Sequence, residues 1–544
     1  MSTSSRRYKR ITGLGCLGVL LFVPFAVAGC GAPEVHRTPE LAALATRLDT
    51  IQTVRLEEQS KSEPVTIEQA TEKLMRQTAE PNETQRVVKL TIEEVRAAAL
   101  ANNLDLKVEM IAPAVAQHSV DAERAKFESV FFGSGRYSRS EFGDSNMGSS
   151  RRYQAGVSTP LQTGGAITAS LPVSESGGVS SAAASVSVVQ SLLQGAGPRV
   201  NLYSIQIAGY QKDRVDASTK FQAIRILGNA DIAYWYLYAA RKQLDVSREQ
   251  YKMAQDQLAN ARHKVEAGSA AKYEIVLAEA GLAGRLDAMI SAETNVRDRE
   301  RALKRIMNRS ETPLNEQIDL IPTTDPNPQG LDLDPEVLVT AAMGNRMELA
   351  NLEFSLAMND IGIEQAKNNL LPQLDLDYTF SAGGQSDAAS RALENLFDDS
   401  SMDYSVGLSA TIPLGNRAAK ARLRQARLER VRAGINRDLL EQDIRQEVYE
   451  AVDGLEQNWR RILAAEQGVV RAYRSYRVEQ SQFQLGKRTS KEVLDAASNL
   501  AEAQLRRIGA FVEYEVAQVY LARATGTLLG HGQIHIKPYE APEL

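Results

Sequence analysis

The side chains that most often carry chemistry are few and scattered in this chain of 544 residues. Both cysteines, Cys16 and Cys30, lie within the first thirty residues, and the five histidines lie far apart. The pair His531 and His535, in a tail that also contains glycine, is the nearest approach to metal-ligand spacing. The sequence contains no nucleophile elbow and no phosphate loop. We therefore expect no enzyme activity, no cofactor and no metal site.

Cys30 fits a different chemistry, the acylation of a lipoprotein. Basic residues between positions 6 and 10 precede an apolar stretch from Ile11 to Val27, which is typical of an export signal. The sequence Val27-Ala28-Gly29-Cys30 resembles a bacterial lipobox. That pattern implies cleavage before Cys30 and attachment of acyl chains, such as palmitate, to its sulfur and new amino terminus. An ordinary signal peptide with a chance cysteine is the alternative.

The net charge of -5 gives no electrostatic reason to expect a nucleic-acid partner. Lysines and arginines are interspersed with glutamates, as on solvated helix faces. After the signal no stretch approaches the ~18 apolar residues that a membrane-spanning helix needs.

The chain repeats itself. The segment Gly197-Pro198-Arg199 aligns with Gly415-Asn416-Arg417, and the same offset of 218 continues over more than a hundred residues without a gap. An earlier block, from Leu100 onwards, aligns at an offset of 243. The difference means that the first copy has 25 additional residues between the two blocks. We interpret the pattern as an internal duplication.

Each copy contains a long helix with a seven-residue apolar period, which is typical of a coiled coil. The periodic positions of the two copies are Leu237, Leu244, Tyr251, Leu258 and Val265, and Leu455, Ile462, Val469, Tyr476 and Phe483. The helices are expected to turn at Gly268 and Gly486, each followed by a return helix about half as long.

Between the helices the apolar period changes to two, which indicates β-strands. Leu374 to Phe380 and Tyr404 to Ile412 alternate clearly, and the first copy has looser versions within residues 127–193. Without a globular core to cover the apolar face, this alternation suits lipid on one side and water on the other. A soluble hairpin packed on the helices is the alternative. Because an open sheet edge is not tolerated in lipid, other copies of the chain must complete the sheet.

At residues 90–529 the sequence resembles the TolC-like outer-membrane efflux proteins. The resemblance rests on Thr91-Ile92-Glu93-Glu94-Val95, Gln190-Ser191-Leu192-Leu193, Leu371-Pro372 and the turn Gly486-Lys487-Arg488-Thr489-Ser490-Lys491-Glu492-Val493-Leu494-Asp495-Ala496. It implies an α+β membrane protein, in which a long antiparallel α-helical barrel continues a transmembrane β-barrel shared by a homotrimer. It also implies twelve strands, a periplasmic adaptor protein and an inner-membrane pump as partners, and a location in the outer membrane.

The resemblance implies a gate at the helical tip. The gate arginine of the family matches Arg488, its acidic partner matches Glu274, and its acidic constriction ring matches Glu492 and Asp495. The gate tyrosine matches Phe483, which lacks the hydroxyl for the corresponding hydrogen bond. Lys487, Arg488 and Asp495 have the neutral counterparts Ser269, Ala270 and Leu277 in the first copy, so we expect the mobile gate at the second turn.

The expected organisation is a signal peptide at 1–29, a lipid-anchored extension at 30–89, a first repeat at 90–308, a linker at 309–334, a second repeat at 335–529 with strands near 372–412, and a tail at 530–544. The additional strands at 151–175 leave the strand count open: they could widen the barrel, form a surface hairpin or fold inside. The function that this organisation predicts is an exit duct of a tripartite efflux or type I secretion system. A lipid-anchored coiled-coil spacer or adhesin without a pore is the alternative.

Overall fold

The structure is a computed structural model that describes residues 86–141, 147–398 and 401–531, together with residues 67, 69 and 70, which are helical. The predicted signal peptide, Cys30 and all but the first two residues of the tail lie outside the described residues. The chain divides into two units, Met1–Glu83 and Thr84–Leu544, and all elements below belong to the second.

Helices form most of the second unit. Their bounds are α1 Ile92–Asn102, α2 Leu104–Arg124, α3 Pro198–Asn201, α4 Tyr203–Glu266, α5 Tyr273–Met307, α6 Pro335–Asn345, α7 Met347–Asn368, α8 Ala389–Asp398, α9 Arg417–Gln484, α10 Ser490–Ala524 and α11 Leu528–His531. No helix in the described ranges is both long and apolar enough to cross a membrane.

The strands of the described chain form two sheets. Their bounds are β1 Arg86–Leu90, β2 Val130–Glu141, β3 Met147–Pro160, β4 Gly165–Ser176, β5 Val179–Ser191, β6 Ile318–Pro322, β7 Gln373–Ser386 and β8 Ser401–Thr411. Strands β1 and β6 pair in parallel. The other six form an antiparallel sheet in the order β2-β3-β4-β5-β7-β8.

The first helix shows how local sequence sets the element boundaries. The Thr91 hydroxyl accepts a hydrogen bond from the Glu94 N–H at 3.2 Å, and the Glu94 carboxylate accepts one from the Thr91 N–H at 2.9 Å. This capping box satisfies two donors that a helix start leaves open. The Asn103 side chain then caps α2 through the Leu106 N–H at 3.0 Å, so a single residue separates the two helices.

The two long helices have nearly equal lengths, 64 residues in α4 and 68 in α9, and both return helices have 35. At 1.5 Å per residue α4 extends about 96 Å. The predicted heptad positions face the packed side: Leu237, Leu244, Leu258, Leu455, Ile462 and Phe483 are all buried. The small residues Ala240, Ala254 and Ala261 are buried as well, which permits close helix approach.

Each long helix changes neighbours along its length. In the half nearer the six-stranded sheet the helices lie in the order α2-α4-α7-α9. In the other half α5 packs against α4, and α10 packs against both α4 and α9. The main core lies where these halves meet and includes Tyr234, Leu303 and Leu320. Within it, Arg96 pairs with the fully buried Asp231 at 2.8 Å, which removes the cost of an unpaired buried charge.

A short amphipathic helix, α8, connects β7 to β8 and was not anticipated from the sequence. It packs on β7 and β5 and reaches β4, with Ala392 and Leu396 buried. A side chain at Gly384 would meet the Ala392 carbonyl oxygen at 2.5 Å. This glycine therefore allows the helix backbone to lie directly on the sheet.

Candidate functional site

The two helical turns farthest from the six-stranded sheet have the same backbone geometry. Gly268 and Gly486 have φ values of 69° and 73°, which favour glycine. The Ser269 N–H donates to the Lys264 oxygen at 2.8 Å, and the Lys487 N–H donates to the Gln482 oxygen at 2.9 Å. These bonds satisfy carbonyls at the ends of α4 and α9 in the same way. Any functional difference between the turns therefore comes from their side chains.

The second turn concentrates charge. The Arg488 guanidinium lies 2.6 Å from the Glu492 carboxylate and 3.1 Å from that of Glu479. Glu492 also accepts hydrogen bonds from the Thr489 N–H at 2.8 Å and from the Thr489 hydroxyl at 3.0 Å. Hydrogen bonds from the Thr489 N–H and from Arg488 lower the pKa of Glu492, and the bond to Glu492 raises the pKa of Arg488. Glu492 therefore starts α10 as a paired, ionised group.

Within one protomer, the contacts of Arg488 and Glu274 differ from the pairing that the resemblance implied. Among the described residues of one protomer, the ion pairs of Arg488 are with Glu479 and Glu492 and do not include Glu274. The Glu274 carboxylate instead accepts a hydrogen bond from the Ser490 N–H at 3.3 Å. Within the protomer, the hydrogen bonds that Glu492 accepts favour its ionised form. Asp495 is exposed and lies one helical turn further along α10.

Further contacts join the first hairpin (α4 and α5) to the second (α9 and α10) near the turns. The Lys264 ammonium lies 3.4 Å from the centroid of the Phe483 ring and donates to the Phe483 carbonyl oxygen at 2.8 Å. The Gln257 amide donates to the buried Ser490 hydroxyl at 2.7 Å. Phe483 was expected to leave one latch contact unmade. The structure supplies a different contact at this position, from a lysine that sequence analysis had no means of pairing with it.

The six-stranded sheet has one polar and one apolar face. Residues directly opposite each other on neighbouring strands lie on the same face of the sheet. The pairing therefore assigns each residue of the six strands to one of two faces. On one face the hydroxyl pairs Ser158–Thr168, Ser170–Ser185 and Ser174–Ser181 lie 3.1, 2.9 and 2.8 Å apart. On the other face, a row of opposed residues runs Phe131, Val157, Ala169, Val186, Phe380 and Tyr404. The sheet can therefore separate water from an apolar medium.

Both edges of the protomer present apolar surface. Strands β2 and β8 are the sheet edges, and they are joined in sequence to α2 and α9, the outer helices of the half nearer the sheet. Exposed apolar side chains follow one stripe on each of these helices: Leu104, Val108, Ile111 and Val115 on α2, and Leu428, Val431, Ile435 and Leu439 on α9. The edges of the sheet and of the helical layer thus coincide.

No group of three or more histidine, cysteine, aspartate or glutamate residues in the described ranges is placed to hold a metal ion.

Comparisons with known proteins agree with this architecture. A family model described as "Outer membrane efflux protein" matches residues 338–527. Outer membrane protein TolC of Vibrio cholerae is 23% identical over 303 residues, which cover 54% of this chain and 66% of TolC. Outer membrane efflux protein BepC of Brucella suis is 21% identical over 329 residues, which cover 60% of this chain and 68% of BepC.

The fold is also that of a solved channel. The crystal structure of the CmeC outer membrane channel of Campylobacter jejuni superposes with a TM-score of 0.64 at 15% identity, and the match covers 80% of this chain and 85% of CmeC. The names of these proteins describe channels and efflux proteins rather than enzymes, in agreement with the prediction that the chain is not an enzyme. These comparisons show that the chain is similar to the TolC-like outer-membrane efflux proteins, in sequence through residues 338–527 and through TolC and BepC, and in fold through CmeC.

Proposed function

We propose that three copies of this chain form a passive exit duct that carries solutes from the periplasm to the exterior. The main support for the proposal is that the unpaired edge strands of the sheet and the edge helices of the helical layer lie on the same two sides of the protomer. One side of the protomer ends in β2 and α2, and the other ends in β8 and α9. An exposed strand edge readily pairs with another strand.

The helix stripes support head-to-tail assembly. At 100° per residue, the stripe on α9 that contains Val431 and Ile435 lies almost opposite the buried face that contains Ala433 and Ile444. On α2 the stripe lies opposite Leu106 and Val120, which are also buried. A helix in a single-layered wall has neighbours on two opposite sides. Each edge helix has one neighbour in its own protomer, and we infer that the next copy supplies the other.

Such a contact joins two different surfaces, so repeated copies form either a ring or an open filament. Closure into a ring satisfies every strand edge, which lipid requires. The strands contain 11 to 14 residues, and a tilted transmembrane strand needs about 9–11. The hydroxyl-bearing face then lines the pore, and the row with Phe131, Phe380 and Tyr404 faces lipid.

We place the gate at the far end of the helices, at the turns around Gly268 and Gly486. Arg488 with Glu492, Glu274 with Ser490, and Lys264 with Phe483 stabilise the closed arrangement in this proposal. Asp495, exposed one turn from Glu492, supplies the acidic ring when three copies meet.

The proposed system follows the family. A periplasmic adaptor protein and an inner-membrane pump supply the cargo and the energy, in either a tripartite efflux or a type I secretion system. Acylated Cys30 tethers the chain to outer-membrane lipid. The two halves of the chain derive from one ancestral repeat, consistent with the equal return helices of 35 residues. Because the pore is aqueous and wide, the pump selects the cargo.

Conductance and mass test the proposal together. Purified protein should form ion-conducting channels in planar bilayers, and its mass in mild detergent should equal three chains. Ile435→Asp places a charge in the α9 stripe and should abolish the trimer. Asn436→Asp, exposed on the same helix but outside the stripe, is the matched control and should assemble normally. A monomer that inserts without conductance would support the spacer or adhesin alternative instead.

A further inference from the structure

Strands β3 and β4 belong fully to the six-stranded sheet. They contain 14 and 12 residues, and they lie between β2 and β5 with antiparallel pairing in a single register on each side. Helix α8, which packs on β5 and β7, also reaches β4. The hairpin is therefore neither a surface appendage of the sheet nor a plug folded against it.

The hairpin also has the same two faces as the rest of the sheet. Its apolar side chains Val157, Ile167 and Leu171 are 41%, 40% and 39% exposed, close to the 44% of Val186 and the 37% of Phe380 in neighbouring strands. A hairpin covered by other protein would not leave these side chains open. Their exposure matches that of the strands proposed to face lipid.

The opposite face continues without a break. Ser158 on β3 and Thr168 on β4 are directly opposite each other, and the row continues to Ser187, Thr379 and Ser405. A side chain with a hydroxyl group occupies each of these five positions. The pore-lining surface thus extends over β3 and β4 with unchanged chemistry.

The topology explains how two strands could be added. In an antiparallel order β2-β3-β4-β5, the outer pair β2 and β5 run in opposite directions. Removal of β3 and β4 would therefore leave β2 able to pair with β5 as an ordinary hairpin. The first copy of the repeat is longer than the second by 25 residues between the same blocks, close to the 30 residues of Met147–Ser176.

We propose that the trimer closes a barrel of eighteen strands, six from each chain, in place of the twelve that the family resemblance implied. The proposal rests on the proposed function, because it requires three chains in one ring. Barrel diameter grows roughly in proportion to strand number, so eighteen strands give about 1.5 times the diameter of twelve. Barrels of about 16–18 strands hold an open aqueous channel. The outer mouth is then a wide pore lined with hydroxyl groups that admits large polar solutes, and the helical tip alone sets the size limit.

Electron cryo-microscopy of the full chain in lipid nanodiscs tests the strand count. The wild-type ring should contain three chains and eighteen strands. Replacement of residues 141–178 by Asn-Gly should give three chains and twelve strands, with the barrel diameter about 1.5-fold smaller. This replacement puts Ser140 opposite Val179, the register in which both strands keep their faces.

A matched replacement shortens the sheet connections without removing a strand. Asn-Gly in place of residues 384–400 removes α8 and keeps the observed Gly383–Ser401 pair, and this control should retain eighteen strands. A wild-type ring of three chains with twelve strands and the β3–β4 hairpin outside the wall would overturn this inference and leave the proposed function intact. A wild-type protein that forms no three-chain ring would instead overturn the proposed function. The number of strands in the wild-type ring tests the inference even if a variant does not fold.

Discussion

The Lys264 ammonium lies 3.4 Å from the centre of the Phe483 ring and donates a hydrogen bond to the carbonyl oxygen of the same residue at 2.8 Å. The two residues belong to different hairpins, at the ends of α4 and α9. Phe483 is buried and Lys264 is half-buried, so solvent weakens the contact only in part. A single side chain therefore joins the two hairpins through both a ring and a backbone oxygen.

Loss of this contact should favour the open state. A cation–π interaction contributes about 0.5–1 kcal/mol at exposed sites and about 2 when desolvated, and three copies act on one pore. We expect Lys264→Met to raise single-channel conductance or open probability in planar bilayers. Lys264→Arg, which keeps the cation, should stay close to wild type. Equal conductance of wild type and Lys264→Met would show that the contact does not hold the gate.

The Arg488–Glu492 pair predicts a pH dependence. Glu492 has a pKa below its ordinary value of 4.5 in the folded protein. The contribution of ionised Glu492 to the stability of the closed gate is therefore complete above about pH 4.5. It is lost as the pH falls through the lowered pKa of Glu492. Conductance should stay constant from neutral pH to about pH 5 and rise only under stronger acid. Arg488→Ala should raise conductance and antibiotic leak at neutral pH and abolish the acid-induced rise. A wild-type transition near neutral pH would contradict this assignment.

Asp495 predicts the cation sensitivity of the closed pore. Three symmetry-related carboxylates around a narrow opening should bind multivalent cations, because like charges held close together favour bound counter-ions. Asp495→Asn should weaken block by a multivalent cation while leaving the Arg488–Glu492 pair intact. Glu492→Ala with Asp495→Ala should weaken it further. An unchanged blocking concentration in both variants would place the cation site elsewhere.

Glu515 predicts a stability effect away from the gate. Its carboxylate is buried on α10 and accepts a hydrogen bond from the Asn327 N–H at 3.0 Å. Burial raises its pKa, and the hydrogen bond opposes that shift only in part. The folded protein thus binds the proton more tightly than the unfolded chain, and stability falls as the pH rises from about 4.5 through the raised pKa. Glu515→Gln should raise Tm at pH 7 and have little effect at pH 4. A lower Tm at pH 7 would show that the charge is stabilising.

Cys30 predicts the mode of anchoring. Cys30→Ser should abolish metabolic labelling by acyl chains, because the acylated thiol is lost. The strands should still insert into the outer membrane, so the variant should remain in the membrane fraction. Continued lipid labelling of the serine variant would exclude the assignment.

Periodicity made the long helices predictable and left the strand count open. Leu237, Leu244 and Leu258 lie on one seven-residue period, and all three are buried as predicted. In β3 and β4 the alternation is interrupted by Arg151 and Glu175, which pair across the two strands at 3.3 Å on the otherwise apolar face. Two charges on that face weaken a period-two signal. The two charges neutralise each other only because β3 pairs with β4, and the local sequence pattern does not show that pairing.

The gate contacts show a similar limit. Gly486 and the charged residues after it are visible in the sequence, but their partners depend on how the chain reverses. Arg488 reaches back to Glu479, and Lys264 meets Phe483 across 219 positions. Neither separation in sequence is one that the period of a helix or a strand would bring together. Position-by-position resemblance could locate the gate residues, but only three-dimensional packing determines which of them meet.

The change of neighbours along α4 and α9 has a mechanical consequence. The half of α4 nearer the sheet lies between α2 and α7, and the same half of α9 packs on α7 with its other side exposed, whereas the halves farther from the sheet pack against the return helices α5 and α10. Between the tip and the main core at Tyr234, α4 is a single unbroken helix. In the proposed gate, we therefore expect the halves of α4 and α9 near the tip to uncoil as the tip opens, while the helical wall that supports the strands keeps its circumference.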